Sequence, residues 1–387
     1  MRILIAPNAF KGTLSGREAA AALESALKPV FPDAVFEQIP VSDGGDGLID
    51  VLAPALGGRT LTVSVSGPLG EKIKARLALA GKTAVIEMAE ASGLKRLKHG
   101  KKRPMEACTT GVGELINEAL NLGAREIIIG LGGSASNDGG SGCAAAFGFK
   151  LFDKKNRPIG PGADGLLELA GIAGFEAARR LKGVKVRALA DVLNPLCGPG
   201  GSARVYGPQK GAGPAEVRLI EKALINYAAA VKRDTGLDIA RLERGAAAGG
   251  LGAGLYAFFG AELLDGAGFV LEKLDFEAKV KAADLVVTGE GRFDRQTFSG
   301  KAPAAVAAMA KMSGKPLVMV CGKSCFTGKK KFSNAGISLV IDASKYFSIK
   351  ELFSRPGQTL RLAVQRERGK VLKIMNERRV CPTRVGF

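Results

Sequence analysis

Arg2-Ile3-Leu4-Ile5-Ala6-Pro7-Asn8-Ala9-Phe10-Lys11-Gly12-Thr13-Leu14-Ser15-Gly16-Arg17-Glu18 decides the fold class. Arg2 to Ala6 is a short apolar run of the kind that forms a strand buried on both faces. Pro7 to Gly12 reads as a turn. Ser15 and Glu18 have the spacing of a capping box, which opens an Ala/Leu-rich helix ending before Pro29. Val35 to Val41 reads as a second strand, and Ser42-Asp43-Gly44-Gly45-Asp46-Gly47 as a loop feeding a helix from about Leu48. Strand, helix, strand, loop and helix within the first 55 residues begin a parallel α/β sheet.

Further along, Thr60 to Ser66, Ile73 to Ala80 and Thr83 to Met88 are strand-like runs joined by short glycine connections. Such close spacing favours antiparallel pairing and hence a mixed sheet. A helix over 111–122, a strand from Glu126 to Leu131, another from Val184 to Leu189, and an amphipathic helix from Pro214 to Arg233 follow. Ala283 to Thr288, Pro303 to Ser313 and Pro316 to Cys321 then repeat the strand–helix–strand alternation of the start, and Pro356 to Met375 is a basic helical stretch. The expected fold class is therefore α/β with two domains. Residues 1–60 and 283–387 form a discontinuous parallel-sheet domain, and 61–282 form an inserted mixed α/β domain.

Composition narrows the function classes. A chain of 387 residues with 24% charged and 46% apolar residues has a prior of two globular domains rather than disorder. The 53 glycines follow no collagen period. Cys108, Cys143, Cys197 and Cys381 are isolated, and Cys321 and Cys325 flank no second pair, so neither a disulfide scaffold nor a zinc site is expected. The glycine-rich stretch 245–261 is too short to span a bilayer. The N-terminus carries no signal-peptide pattern, and a cytoplasmic protein without membrane partners is expected. His99 is the single histidine, in a Lys-rich stretch, so a general base is expected to be a carboxylate. Of the net charge of +19, residues 323–387 carry 15 Lys and Arg against 4 Asp and Glu. That basic stretch is either a solvated surface or an attachment for anions, nucleic acid included.

Five polar segments sit where strands are expected to end, the usual ligand edge of an open α/β sheet. Asn8 to Gly12 precedes a helix N-terminus, where Lys11 adds a full charge to the helix dipole. In 42–47, Asp43 can bind metal or take a hydroxyl proton, or the loop is plain turn chemistry. Gly130-Leu131-Gly132-Gly133-Ser134-Ala135-Ser136-Asn137-Asp138-Gly139-Gly140 contains a G-x-G-x-x-A match at 130–135 and is polar enough to cradle an anion. Asp191 and Asn194, three apart, can share one Mg²⁺ or one substrate, with Lys210 downstream. In Thr288 to Lys301, Arg292 and Lys301 can neutralise phosphate, and Glu290 can hold metal; internal salt bridges are the alternative. Gly81-Lys82-Thr83 and Gly322-Lys323-Ser324 end like a Walker A loop but lack its first glycine.

Taken in order, these segments resemble the bacterial type I glycerate kinase family. The resemblance rests on Ile3-Leu4-Ile5-Ala6-Pro7 with Phe10-Lys11-Gly12, on 42–47, and on Ser66-Gly67-Pro68-Leu69-Gly70-Glu71. It continues through Ile86 to Leu94, Gly113-Glu114-Leu115-Ile116, the loop 132–140, Asp191 with Asn194-Pro195-Leu196, Tyr206 to Gly211, Gly245 to Gly252 and Thr288 to Arg292. It covers about residues 1–322. It implies ATP-dependent phosphorylation of D-glycerate, most often at the 2-hydroxyl, and two α/β domains with the discontinuous one Rossmann-like. The family usually has Asp-Ser where this chain has Asn8-Ala9, and His-Gly-Lys where it has Ser299-Gly300-Lys301.

Chemical inference assigns the roles. Asp43, or else Asp191, accepts the hydroxyl proton. Asp191 or Glu290 holds Mg²⁺. Lys11, Arg292 and Lys301 neutralise phosphate or carboxylate. Gly132, Gly133, Ser134, Asn137 and Asp138 cradle an anion, with Asn194 and Lys210 nearby. The 3-hydroxyl is the alternative acceptor. Two competing readings are an NAD-linked hydroxy-acid oxidoreductase built on 130–135, and an inactive kinase scaffold that binds nucleic acid through 323–387.

Overall fold

The computed structural model describes residues 1–97, 102–298, 300–326, 332 and 334–380. His99, Ser299 and Cys381 lie outside the described residues. The strands are β1 (Arg2–Pro7), β2 (Val35–Gln38), β3 (Arg59–Ser66), β4 (Lys72–Ala80), β5 (Thr83–Glu87), β6 (Glu126–Gly130), β7 (Lys150–Phe152), β8 (Gly171–Ala173), β9 (Lys185–Ala190), β10 (Glu262–Asp265), β11 (Leu285–Phe293), β12 (Leu317–Ser324) and β13 (Leu339–Asp342). The chain divides into two compact units, Met1–Asp43 with Ala267–Phe387, and Gly44–Gly266. The fold class expected from the sequence is thus present: both chain ends build one unit and the middle builds the other.

The first unit holds a parallel sheet in the order β13-β12-β11-β1-β2. Strand β1 is buried at every residue but Arg2, as a parallel strand covered on both faces must be. Ile3, Ile5, Leu285, Val287, Val318, Val320 and Ile341 form one core with Leu23, Leu27, Leu360 and Val364 of the covering helices. The helix Gly16–Leu27 starts at the expected capping box. Ser15 Oγ accepts from the Glu18 N–H at 3.2 Å, and Glu18 Oε2 accepts from the Ser15 N–H at 2.8 Å.

Three elements differ from the sequence expectation. Strand β2 runs to Gln38 rather than Val41, and beyond it the Ile39 and Val41 N–H groups still reach the Ile5 and Pro7 carbonyls at 2.9 and 3.0 Å. Strand β11 runs on to Phe293, through residues expected to be loop, because β12 pairs with it in register as far as Arg292↔Lys323 and Phe293↔Ser324. The basic stretch is two helices, Pro356–Arg366 and Arg368–Val380, parted at a buried Glu367 that accepts from the Tyr346 hydroxyl and pairs with Lys370. Leu360, Ala363, Val364 and Val371 are buried, so this stretch is part of the core. The helix Pro356–Arg366 packs on Gly16–Leu27.

The second unit holds a sheet in the order β10-β9-β6-β5-β4-β3. Strands β3, β4 and β5 pair antiparallel, and β5, β6, β9 and β10 pair parallel. Leu77, Ile86, Ile127, Ile129 and Ala188 of the sheet pack with Leu115 and Ile116 of the helix Thr110–Asn121 and with Leu224 and Tyr227 of Pro214–Thr235. β7 and β8 form a separate hairpin-like pair. Among the described residues, no helix is long and apolar enough to cross a membrane.

Because the box at Ser15 satisfies two otherwise orphaned N–H groups, Ser15→Ala is expected to cost about 1 kcal/mol. A urea melt that shows no loss would mean the helix start is held by packing alone.

Candidate functional site

In the first unit the chain leaves β1 toward β2 on one side, while β11 enters on the other. This reversal of strand order opens a crevice at the carboxyl ends of β1 and β11, the standard ligand position of an open α/β sheet. A cavity of about 350 Å³ lies there, lined by Asn8, Lys11 and Asp43 from the β1 and β2 ends, by Glu290 and Arg292 of β11, and by Lys301 and Lys323. Lys11, Asp43, Glu290, Arg292 and Lys301, singled out from the sequence, therefore share one wall system. Lys323 was visible only as part of an incomplete Walker motif; its register opposite Arg292 brings it in.

Asp43 is 8% exposed and acts as a hub. Its Oδ2 accepts from Asn8 Nδ2 at 2.9 Å, and its Oδ1 accepts from the Ala302 N–H at 2.6 Å. Ala302 is the first residue of the helix Ala302–Met312, so Asp43 supplies a cap that Lys301 does not. The Asn8 amide is also committed through its oxygen, which accepts from the Ala9 N–H at 2.8 Å. In the sequence Asn8 heads the first polar segment and departs from the family pattern, and neither observation points to its bond with Asp43.

Glu290 is 6% exposed. Burial pushes its carboxyl up to about 7; the Asp43 and Asp294 charges push the same way, while the Thr297 hydroxyl and the Lys301 ammonium pull it back. Thr297 Oγ1 donates to Glu290 Oε1 at 2.5 Å. Arg292 pairs with Asp294 at 3.1 Å but stays largely exposed. Lys11, Lys301 and Lys323 make no ion pair among the described residues. The crevice therefore gathers three ammonium groups and the Arg292 guanidinium around one cavity. Among the described residues, no three His, Cys, Asp or Glu side chains converge as a ready metal centre.

The second unit carries the other sequence-predicted residues. The loop after β6 runs over residues 131–140 before the helix Ser141–Phe147 begins. A dinucleotide fingerprint needs the helix to start within the glycine turn, so the oxidoreductase reading of 130–135 loses its geometry here. Gly132 packs on Gly45; a Cβ on it would lie 2.7 Å from the Gly45 Cα. Ser134 Oγ lies 3.0 Å from Ser136 Oγ and donates toward the Ala248 carbonyl at 3.2 Å. Asp138 is buried, and its Oδ2 accepts from the N–H and hydroxyl of Thr109, both at 2.8 Å. Burial raises its carboxyl, and those bonds oppose the rise.

Lys210 is 2% exposed and donates to the Ser136 carbonyl at 2.6 Å and to Asn137 Oδ1 at 3.3 Å. Burial pulls its ammonium down to about 7, against the opposing Asp138 charge. Gly249, at φ +73°, has no room for a Cβ, which would meet the Ser136 oxygen at 1.9 Å. Lys210, Asn137 and Asp138 thus brace the loop from beneath. Asn194 spends its amide on the Gly200 carbonyl at 2.8 Å and on the Tyr206 hydroxyl at 2.7 Å. Asp191 follows β9, and burial together with its charge raises the Tyr206 phenol to about 12.

Comparison with known proteins agrees with the family resemblance. The model of the glycerate kinase family matches residues 3–368. A glycerate kinase of Halalkalibacterium halodurans is 44% identical over 322 residues, 83% of this chain and 85% of that protein. A glycerate 2-kinase of Escherichia coli K12 is 43% identical over 324 residues, again 83% of this chain and 85% of its own. The crystal structure of a "putative glycerate kinase 2" from Salmonella typhimurium LT2 superposes with a TM-score of 0.80 at 38% identity, covering 97% of this chain and 99% of that one.

Two variants test the electrostatics. Glu290 binds its proton more tightly folded than unfolded, so its contribution to stability is full at low pH and is lost as pH rises toward and through about 7. Glu290→Gln is expected to flatten that part of the melting-temperature profile between pH 5 and 8; parallel profiles would refute the shift. Lys210→Met removes the buried donor shared by the Ser136 carbonyl and Asn137 Oδ1 and is expected to destabilise by about 2 kcal/mol, read by denaturant midpoint.

Proposed function

This chain belongs to the glycerate kinase family, and we propose that it transfers the γ-phosphoryl group of ATP to the 2-hydroxyl of D-glycerate, giving 2-phosphoglycerate and ADP. The observation that carries the reading is the concentration of Lys11, Arg292, Lys301 and Lys323 around one cavity at a sheet switch point. Arg292 and Lys323 are direct cross-strand neighbours. Like charges in that relation repel, and a polyanion seated between them removes the repulsion. Phosphoryl transfer asks chiefly for such positioning and neutralisation of charge.

In this reading the hydroxyl oxygen of glycerate attacks the γ-phosphorus, the bond to the ADP oxygen breaks, and the hydroxyl proton passes to a carboxylate. Asp43 is the proposed acceptor, with Asp191 the alternative. Asp43 lines the same cavity as the cations, and its two hydrogen bonds fix its orientation. Glu290, which titrates near neutrality, is the weaker choice because part of its population is already protonated at working pH. The backbone amides of Gly132 and Gly133 are proposed for an anionic group such as the glycerate carboxylate.

A magnesium ion fits the donor chemistry. Asp43 and Glu290 are hard oxygen donors whose charges disfavour one another, and a bound divalent cation would relieve that. Mg²⁺ is commonly held by one or two carboxylates together with phosphate oxygens. When bound, it would supply charge neutralisation on the phosphates; Glu290 is the residue proposed to hold it, with Asp191 the alternative.

Purified protein with Mg-ATP is expected to release ADP only when D-glycerate is added, with the phosphorylated position read by ³¹P NMR. Asp43→Asn keeps an oxygen for the Ala302 N–H but cannot take a proton. Its turnover is expected to fall about a hundredfold or more; a loss of less than about tenfold would move the base to Asp191.

A further inference from the structure

The cavity of the first unit has a second end that the phosphoryl chemistry does not use. Phe10, Ile349, Leu352, Phe353, Pro356 and Leu360 line it. Ile349 and Phe353 lie one turn apart on the short helix Ile349–Ser354 and are 64% and 63% exposed. Neighbours at this spacing share a helix face. Large apolar side chains left this open, in the wall of a cavity rather than scattered over the surface, mark a binding surface. Two hydroxyls also line the cavity. The Thr13 hydroxyl donates to the Phe10 carbonyl at 2.9 Å, and the Thr359 hydroxyl donates to the Pro356 carbonyl at 2.9 Å. Both O–H groups are thus engaged within the chain, and neither is left to donate to a ligand's polar edge.

One cavity thus joins these apolar side chains to a cluster of Lys11, Arg292, Lys301 and Lys323. The two ends complement a molecule with a planar ring at one end and several negative charges at the other. We propose that the slot formed by residues 349–360 with Phe10 receives the base of the nucleoside triphosphate and selects it by shape rather than by hydrogen bonds at its edge. The proposal rests on the kinase reading and sharpens it to a specificity. A site that reads hydrogen-bonding groups rejects the wrong partner by factors of ten thousand or more, whereas an apolar pocket discriminates by far less. Adenine and guanine, which differ only at their edges, are then close to interchangeable.

Two measurements test this. The first is kcat/KM for ATP and GTP at saturating D-glycerate. A ratio below about a hundredfold is expected, and a larger one overturns selection by shape. The second is the dissociation constant of a fluorescent N-methylanthraniloyl ATP, measured with and without the double change Ile349→Ala and Phe353→Ala. Weakening of about tenfold is expected, with a matching rise in KM for ATP and no rise in KM for glycerate. An unchanged dissociation constant overturns the proposal. Both side chains are mostly exposed, so truncation should leave the fold intact. Met312→Ala, at a residue 87% exposed outside the cavity lining, controls for loss of surface apolar area. The binding measurement needs no turnover. A protein that fails to phosphorylate glycerate would refute the kinase reading and still decide where the base sits.

Discussion

The parallel pairing of β1 with β11, Ile3↔Leu285 through Pro7↔Gly289, is the contact on which the first unit depends. It joins residues some 280 positions apart and places the two polar strand ends side by side. The Thr288 hydroxyl seals the seam by donating to the Ala6 carbonyl at 2.7 Å, and the Asn8 N–H continues it to the Gly289 carbonyl at 2.9 Å. Loop closure over such a span costs conformational entropy, which the burial of Ile3, Ile5, Leu285 and Val287 in one core must offset. The crevice is a by-product of that seam, since the order of the strands reverses where it forms.

A second constraint governs the other unit. A glycine-dense loop brought into the interior carries carbonyls and amides that water cannot reach, so partners must be built in. Lys210 and Thr109 supply them: one holds the Ser136 carbonyl, the other anchors Asp138. The glycines at 132 and 249 let backbone approach backbone where no side chain fits. What looks in the sequence like a set of ligand-binding groups is thus partly the framework of the loop itself.

The sequence made the fold readable because local signals agreed with the tertiary outcome. The apolar run at Ile3 to Ala6, the box at Ser15 and the closely spaced strands from Thr60 to Met88 each point to one structure. Strand β11 was read too short because Gly289, Glu290 and Gly291 look like loop, while their strand state is imposed by β12, whose pairing no local pattern shows. The cationic side of the crevice was legible as polar residues at strand ends. The bond from Asn8 to Asp43 and the capping of Ala302 by Asp43 were not, since they link residues far apart in the chain. The apolar wall left a faint signal: Ile349, Leu352 and Phe353 have helical spacing, but they sit in a stretch whose positive charge drew attention first.

The interruption of the first unit has a consequence for a chain made from its N-terminus onward. Residues 44–266 are contiguous and hold every partner of their own sheet, so that unit can close while synthesis continues. Strand β1 has only β2 beside it until residues 285–293 have emerged. During that interval the apolar faces of β1 and of the helix Gly16–Leu27 lack the strands and the helix Pro356–Arg366 that cover them in the finished unit. Strand β1 is therefore made before residues 44–266 and covered only after them, when its neighbour β11 and the helix Pro356–Arg366 follow.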